Sequence, residues 1–307
     1  MATDVRLSVD LGTTWTAAAV LAGGEPEPLP LGTDGPAMPS VVAAVEGSMV
    51  AGAAAVCAAA TDPASSAREF KRRLGDTAPI VLGGTPYGAE TLTGHLLAHV
   101  LRVAAERVGE PTAVTLTHPA VFGAYKLDLM REAARVAGLG DVTLLSEPEA
   151  AALHYARLGR LGPGDVVAVY DFGGGTFDAA VVRLDPSGPV LLGRPEGLER
   201  LGGIDLDHAV LAHVDAALDG VLSQLDPTDP DVRRGVLALR EECVAAKEAL
   251  SADTEVSVPV TLPGLATEVR VTRVEFESFV RPRIGETLDA LDRAIASTGL
   301  TAGDLAG

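Results

Sequence analysis

Two glycine- and threonine-containing turns occur in this chain, one in each half, and each begins with an aspartate at the end of an apolar run. The first is Asp-Leu-Gly-Thr-Thr at residues 10–14, and the second is Asp-Phe-Gly-Gly-Gly-Thr at residues 171–176. Apolar runs typical of buried strands precede and follow each turn. Glycines let backbone amides approach phosphate oxygens, threonine hydroxyls add donors, and the aspartates can hold Mg²⁺, usually through water. Two such turns predict a duplicated pair of α/β lobes closing on one nucleotide.

Composition limits the other classes of protein to which this chain could belong. The 307 residues, 47% of them hydrophobic, are enough for two lobes with real cores. A formal charge of -18 argues against nucleic acid and anionic membranes as partners. Cys57 and Cys243 form no Cys-x-x-Cys motif, which favours a reducing cytoplasm. The start of the chain shows no basic region followed by an apolar stretch, so we expect no signal peptide.

Hydrophobic spacing and turn residues predict the elements between and after the two turns. The window 51–60 is about half the ~20 residues that a membrane-spanning helix needs, so it predicts a small-residue helix. Further helices are predicted over 92–108, 127–137, 147–158, 206–222, 230–250 and from a cap at Thr272 to Ala296, and strands over 113–116, 142–145 and 256–262. Pro163-Gly164 is the predicted boundary between the lobes. The first 30 residues predict a hairpin turning at Gly23-Gly24, and a second hairpin turns at 186–188.

Several further motifs accompany the two turns. They are Leu-Gly-Gly-Ile-Asp at 201–205, Thr-His-Pro-Ala-Val-Phe at 117–122 and Ser-Glu-Pro-Glu-Ala-Ala-Ala at 146–152. With the turns, they resemble the nucleotide-binding domain of the seventy-kilodalton heat-shock (DnaK-type) chaperones. The resemblance runs from residue 5 to about residue 305, with a compressed region between residues 30 and 85. It implies the actin-like ATPase fold, α/β in class, with two lobes around a nucleotide cleft.

The resemblance implies domain bounds and a role for individual residues. Lobe I would span 1–163 with a small subdomain at about 31–85, and lobe II 164–307 with one at about 205–265. ATP or ADP would be held by Gly12, Thr13, Thr14, Gly173, Gly174, Gly175, Thr176, Gly202, Gly203 and Lys247. Catalysis would involve Lys71, Glu147, Asp10, Asp171 and Thr176, with Asp10 and Asp171 holding Mg²⁺ through water. Lys71 would position the attacking water, and Pro119 would relay the nucleotide state.

Some of these residues also have ordinary structural interpretations. A lysine in a basic run such as 68–73 is usually a solvent-exposed side chain, and Glu147 could simply stabilise a helix N-terminus. Asp178 and Asp205 could be turn or helix caps. The histidines show no metal-ligand spacing, so we predict no metal site from them.

The chain departs from the pattern of the family at three points. Val244 replaces an acidic residue, and Glu248 replaces an arginine that stacks on the base, which predicts weaker purine binding. Leu127 replaces the relay arginine. Lys126 beside it could compensate, but we expect it to point elsewhere on a helix. The chain also stops before the last glycine-rich adenosine loop of the family, so we expect a C-terminally truncated fold and a longer natural protein.

These observations favour a Mg²⁺-dependent ATPase domain of chaperone type, with clients or co-chaperones engaged through regions outside this chain. The alternative is a nucleotide-sensing module with little or no turnover. An actin-fold sugar kinase is a third possibility, but the 146–152 motif and the context of Lys71 argue against it. A filament-forming actin-like protein is a fourth, which the charge does not favour.

Overall fold

The computed structural model describes residues 4–32 and 35–307, and it is an α/β molecule with a principal sheet in each half. The strands are β1 Val5–Leu11, β2 Trp15–Ala22, β3 Glu27–Leu29, β4 Ala37–Pro39, β5 Val42–Val45, β6 Ser48–Ala51, β7 Ser66–Ala67, β8 Ile80–Leu82, β9 Thr85–Tyr87, β10 Ala113–His118, β11 Thr143–Ser146, β12 Val166–Phe172, β13 Phe177–Asp185, β14 Gly188–Leu198, β15 Glu255–Leu262 and β16 Leu265–Thr272. The helices are α1 Ala53–Thr61, α2 Ala89–Val108, α3 Ala124–Val136, α4 Glu147–Arg157, α5 Gly203–Ala217, α6 Pro230–Ala249 and α7 Arg273–Ala296. Short 3-10 turns cover Pro63–Ser65, Phe70–Arg73, Val221–Gln224 and Ala302–Asp304.

The sheet of the first half places the first glycine–threonine turn at its carboxyl edge. Its strand order is β11-β10-β1-β2-β3, with β4 also pairing with β2. β1 runs parallel to β10 and antiparallel to β2, so residues 12–14 form the turn of a hairpin. Alternate residues of β1 are buried, from Val5 to Leu11, because one of its faces packs against the core that α2 shares.

The second half repeats the hairpin with the second turn at its tip. β12, β13 and β14 form an antiparallel sheet, and residues 173–176 connect its first two strands. Helices α4 and α7 pack on this sheet, and Phe177 and Ala179 meet Ala290 and Ala294 in its core. The two hairpins therefore present their turns from separate sheets, as the repeated motif predicted.

Each half also carries a smaller unit. In the first half, α1 packs on the sheet β6-β5-β7, and β8 and β9 form a separate hairpin. In the second half, α5, α6 and the β15–β16 hairpin share their own core, which includes Val210, Cys243 and Val258. The domain bounds predicted from the sequence stay a prediction.

Most of the elements expected from the sequence form within a few residues of their predicted bounds. Thr272 caps α7 with Glu275 in a capping box, as predicted. The expected helix over 206–222 instead starts at Gly203 and ends at Ala217. Asp219 and Gly220 take left-handed φ values of 56° and 73°, which an α-helix cannot continue. None of the helices in the described part of the chain combines the length and apolar character needed to cross a membrane.

Candidate functional site

The two glycine–threonine turns pack directly against each other. A Cβ atom built on Gly174 would overlap the side chain of Thr14, and one built on Gly175 would overlap Thr13. Only glycine fits at both positions, because the backbone of one turn touches the side chains of the other. The structure thus brings together residues that lie about half the chain apart.

A third glycine pair lies against the second turn. Gly203 N donates to Gly173 O at 3.0 Å, and a Cβ on Gly202 would lie 2.7 Å from the carbonyl carbon of Gly174. Gly203 is the first residue of α5, so the positive end of that helix points at the second turn. Asp205 Oδ2 accepts from Gly202 N at 2.9 Å and so caps the start of α5, in line with its expected capping interpretation. The amides of Gly202, Gly203 and Ile204 are thus bonded within the protein, to Asp205, Gly173 and Gly174.

Lys71 and Glu147 form an ion pair beside these turns. Lys71 Nζ lies 2.9 Å from Glu147 Oε1, and the two side chains are only 10% and 16% exposed. Lys71 sits in the 3-10 turn Phe70–Arg73, and Glu147 is the first residue of α4, after its Ser146 cap. Burial alone would lower the pKa of Lys71, but Glu147, Asp10 and Asp178 outweigh it and raise the pKa above its ordinary value. Lys71 is therefore a buried ammonium rather than a solvent-exposed one.

Three aspartates bring further negative charge near this lysine. Asp10 accepts a hydrogen bond from Thr117 Oγ1 at 2.8 Å. Burial, reinforced by repulsion from Glu147 and Asp10, raises the pKa of Asp171. Burial, and then repulsion from Glu147, raises the pKa of Asp178 to about 7. Carboxylates that raise one another's pKa in this way favour the approach of a further cation.

The carboxylates near Lys71 do not by themselves form a direct metal-binding cage. Among the residues that the structure describes, no three or more aspartate, glutamate, histidine or cysteine side chains converge to hold a metal ion directly. Asp178 Oδ1 is buried and has no hydrogen-bond partner in that part of the chain. The predicted Mg²⁺ site at Asp10 and Asp171, which relies on intervening water, stays a prediction. The carboxylate-rich donor set suits a hard, hydrated cation.

A small inner chamber lies beneath the turns. Its volume is about 20 Å³, which is enough for only one or two water molecules. Lys71, Thr176 and Asp178 line it, together with Pro119 and Phe122 from the loop before α3. A triphosphate cannot fit in this space.

Lys126 closes the chamber from the other side. Its ammonium lies 5.0 Å from the centroid of the Phe122 ring and forms an ion pair with Glu199 in the second half. From the sequence, Lys126 was a neighbour of Leu127 that could replace the relay arginine but was expected to point elsewhere on its helix. The structure corrects that expectation, because Lys126 lines the chamber and joins the two halves.

Lys247 on α6 is held by the protein itself. Its Nζ lies 2.7 Å from Asp207 Oδ1 and donates to Gly203 O at 3.3 Å. Its role as a nucleotide contact stays a prediction, while the contact observed is with the glycine pair that starts α5. On the same helix, Val244 is half-buried and Glu248 is exposed.

The structure also joins the halves through residues for which sequence reasoning predicted no such contact. Arg72 Nη2 donates to both carboxylate oxygens of Asp205 at 3.0 Å, and Arg68 Nη2 lies 3.4 Å from Glu241 Oε1. These partners are 133 and 173 residues apart in sequence. The basic run at 68–73 was the only available signal, and it indicated a surface rather than a contact.

Comparisons with known proteins find relatives along nearly the whole chain. The family model described as "Hsp70 protein" matches residues 77–307. The chain is 34% identical over 325 residues to a "Chaperone protein HscA homolog" of Bordetella pertussis, covering 99% of this chain and 51% of that protein. It is 34% identical over 319 residues to a protein of the same description from Pseudomonas putida, covering 96% of this chain and 49% of that one. The chain therefore spans about half the length of the curated relatives it matches.

Proposed function

The chain belongs to the Hsp70 family, and on that premise we propose that it binds ATP and hydrolyses it to ADP and phosphate in a Mg²⁺-dependent reaction. The nucleotide state would set how far the two lobes close on each other. In the overall reaction, a water oxygen bonds to the γ-phosphorus while the bond from that phosphorus to the bridging oxygen breaks.

The observation that carries this proposal is the buried Lys71–Glu147 ion pair beside two touching phosphate-type turns. Phosphoryl transfer to water depends mainly on positioning and on neutralising negative charge. Lys71 supplies a fixed positive charge, and Glu147 holds its ammonium in place. Together they would orient the attacking water, which is the role that the resemblance implies for Lys71.

The glycine pairs and the threonines would bind the phosphates. The backbone amides of Gly174 and Gly175 would supply donors, and the hydroxyls of Thr13, Thr14 and Thr176 would add to them. Lys247 would act here by fixing Gly203 through its carbonyl, in addition to any contact with the nucleotide. These groups bind and orient the substrate before any bond changes.

Asp10 and Asp171 would hold the Mg²⁺ through water. When bound, the ion neutralises charge on the phosphate oxygens. The raised pKa of Asp171 and the unpartnered Oδ1 of Asp178 support a cation at this place, because a positive charge would relieve both.

One observation favours the alternative of a nucleotide sensor with little turnover. The helix α6 places Glu248, an exposed acid, where the family resemblance implies a cation for the base, and Lys247 is already paired with Asp207. If the base is bound weakly, ATP would often dissociate before it is hydrolysed, although its phosphates would still bind. Turnover measured under saturating MgATP separates the two proposals.

Wider roles follow only from the family. The relatives are described as chaperones, so we propose that this chain is the ATPase part of a cytoplasmic chaperone-like protein. Protein clients and co-chaperones would then engage regions outside the 307 residues.

The test of the proposed activity is phosphate release from ATP by the purified chain, measured with Mg²⁺ and with the ion removed by a chelator. We expect release with Mg²⁺, with ADP as the second product, and loss of release with the chelator. An Arg107→Gln variant is a suitable control because Arg107 is exposed on α2 and lines neither the chamber nor the cleft. Nucleotide binding without any release would instead support the sensor.

A further inference from the structure

A second, larger cavity opens between the two halves, outside the phosphate turns. Its volume is about 870 Å³. One wall comes from residues 63–73 of the first half, and the other comes from α5, the 3-10 turn Val221–Gln224 and α6. We refer to this cavity as the vestibule.

The vestibule has the opposite charge to the rest of the chain. The whole sequence has 24 lysines and arginines against 42 aspartates and glutamates. Among the lining residues, the only acids are Glu69 and Asp205, and the arginines number six: Arg68, Arg72, Arg73, Arg200, Arg233 and Arg240. A quarter of the strong cations in the chain thus surround one cavity.

Protein groups satisfy some of these guanidinium groups but not others. Arg68, Arg72 and Arg73 are in ion pairs, Arg73 also donates to Ala78 O at 2.7 Å, and Arg233 donates to Pro227 O at 2.8 Å. Arg200 and Arg240 make no hydrogen bond or ion pair within the described part of the chain, and both are exposed. No carboxylate among the described residues therefore offsets the positive charge of Arg200 and Arg240 by direct contact.

The vestibule is next to the phosphate site. Arg72 lines both the vestibule and the inner chamber, and its partner Asp205 caps the helix that starts at Gly203. Only the Arg72–Asp205 ion pair would therefore separate an anion in the vestibule from the glycine pair at the start of α5.

We propose that the vestibule is an anion-collecting site that attracts the polyphosphate of the nucleotide to the cleft, with Arg200 and Arg240 as its steering residues. This inference rests on the proposed ATP binding. A chain with a charge of -18 repels a polyphosphate at long range, and a cleft lined by the opposite sign counteracts that repulsion. Such clefts raise association rates, and the effect falls steeply with added salt.

The test is stopped-flow binding of a fluorescent ATP analogue to the full chain with Mg²⁺. The variant is Arg200→Gln with Arg240→Gln, and the matched control is Arg107→Gln with Arg283→Gln. Both pairs remove two positive charges, but the control residues are exposed and line neither cavity. We expect association of the vestibule variant to be roughly three- to tenfold slower at an ionic strength of about 20 mM, and the difference to vanish near about 0.5 M.

Further outcomes of the same experiment bear on the inference. Dissociation rates should stay within about twofold, because steering changes encounter rather than bound contacts. Arg200→Lys with Arg240→Lys should restore the rate, since charge rather than guanidinium geometry is required. Equal slowing in the control pair, or wild-type rates in the vestibule variant, would overturn the inference while leaving ATP binding intact. Failure of the wild-type chain to bind the analogue would overturn the proposed function and this inference together.

Discussion

Arg72 donates from one nitrogen to both carboxylate oxygens of Asp205 at 3.0 Å, and this contact joins the first half of the chain to the helix that starts at the glycine pair. The two side chains are 11% and 20% exposed. Charge-assisted hydrogen bonds in such partly buried places are stronger than those at the surface. The same carboxylate also accepts from Gly202 N. The Asp205 side chain therefore links the contact between the two halves to the backbone at the start of α5, which belongs to the proposed phosphate site.

The first prediction separates those two functions of Asp205. Asp205→Asn can still cap α5 but loses the charge that pairs with Arg72, whereas Asp205→Ala loses both. We expect ADP release to quicken roughly three- to tenfold in both variants, because the ion pair resists separation of the lobes. The free energy of unfolding should fall by about 1–3 kcal/mol more in Asp205→Ala than in Asp205→Asn. Arg131→Gln is the control, since its partner Asp128 lies on the same helix, α3, and Arg131 lines neither cavity; equal ADP release in all variants would refute the role.

The second prediction concerns the contact between the two turns. In Gly174→Ala, the added methyl group would overlap Thr14, so the turns must separate. We expect nucleotide affinity to fall at least tenfold while the fold, followed by circular dichroism, is retained. Gly285→Ala is the matched control, because its Cβ would meet nothing within 4 Å on α7. That variant should gain about 0.5–1 kcal/mol of stability and bind nucleotide as the wild type does, and equal affinities of the two variants would show that the contact is unimportant.

The third prediction follows from the pKa of Asp178, which burial and the charge of Glu147 raise to about 7. The folded chain holds this proton up to about pH 7, whereas the unfolded chain releases it near the ordinary value of 3.8. The unfolded state thus binds fewer protons in this window, and Asp178 lowers stability as the pH rises from about 4 to 7. Asp178→Asn should flatten that decline in chelator-treated protein. The free energy of unfolding is measured by urea titration at several pH values from pH 5 to pH 8. If it changes with pH equally in the wild type and in Asp178→Asn, the raised pKa is contradicted.

The fourth prediction concerns Glu248 on α6. The family resemblance implies an arginine there that stacks on the base, so Glu248→Arg should raise ATP affinity by roughly 2- to 30-fold, the range of a cation–π contact. The wild-type chain should bind weakly and discriminate poorly between ATP and GTP. Glu242→Arg makes the same charge change at another exposed position of α6 and serves as the control. Calorimetric titration with both nucleotides measures the effect, and equal gains in the two variants would indicate general electrostatics.

Local sequence signals predicted most of the elements but few of the contacts between the halves. The repeated turns, the capping box at Thr272 and the helical spacing in α2 each lie within one short segment, so pattern reasoning could find them. The early end of α5 depended on two residues with left-handed φ values, and hydrophobic periodicity does not reveal such values.

The candidate site shows the same division. The two turns were apparent from the sequence alone, and the resemblance supplied Lys71 and Glu147. Lys126 and Lys247 have partners, Glu199 and Asp207, that no motif linked to them. Charged residues that look like ordinary surface residues in the sequence form such contacts because tertiary packing brings distant segments together.

The most direct test of the central claim is single-turnover hydrolysis of ATP by Lys71→Ala with Mg²⁺ present. We predict that the rate of the chemical step falls at least about 100-fold, while ATP affinity stays within about threefold, because Lys71 acts on the transition state. Circular dichroism would establish that the variant is folded, and Arg107→Gln would serve as the control that should retain the wild-type rate. An unchanged hydrolysis rate in folded Lys71→Ala would contradict the account of this cleft as a catalytic site organised around the Lys71–Glu147 pair.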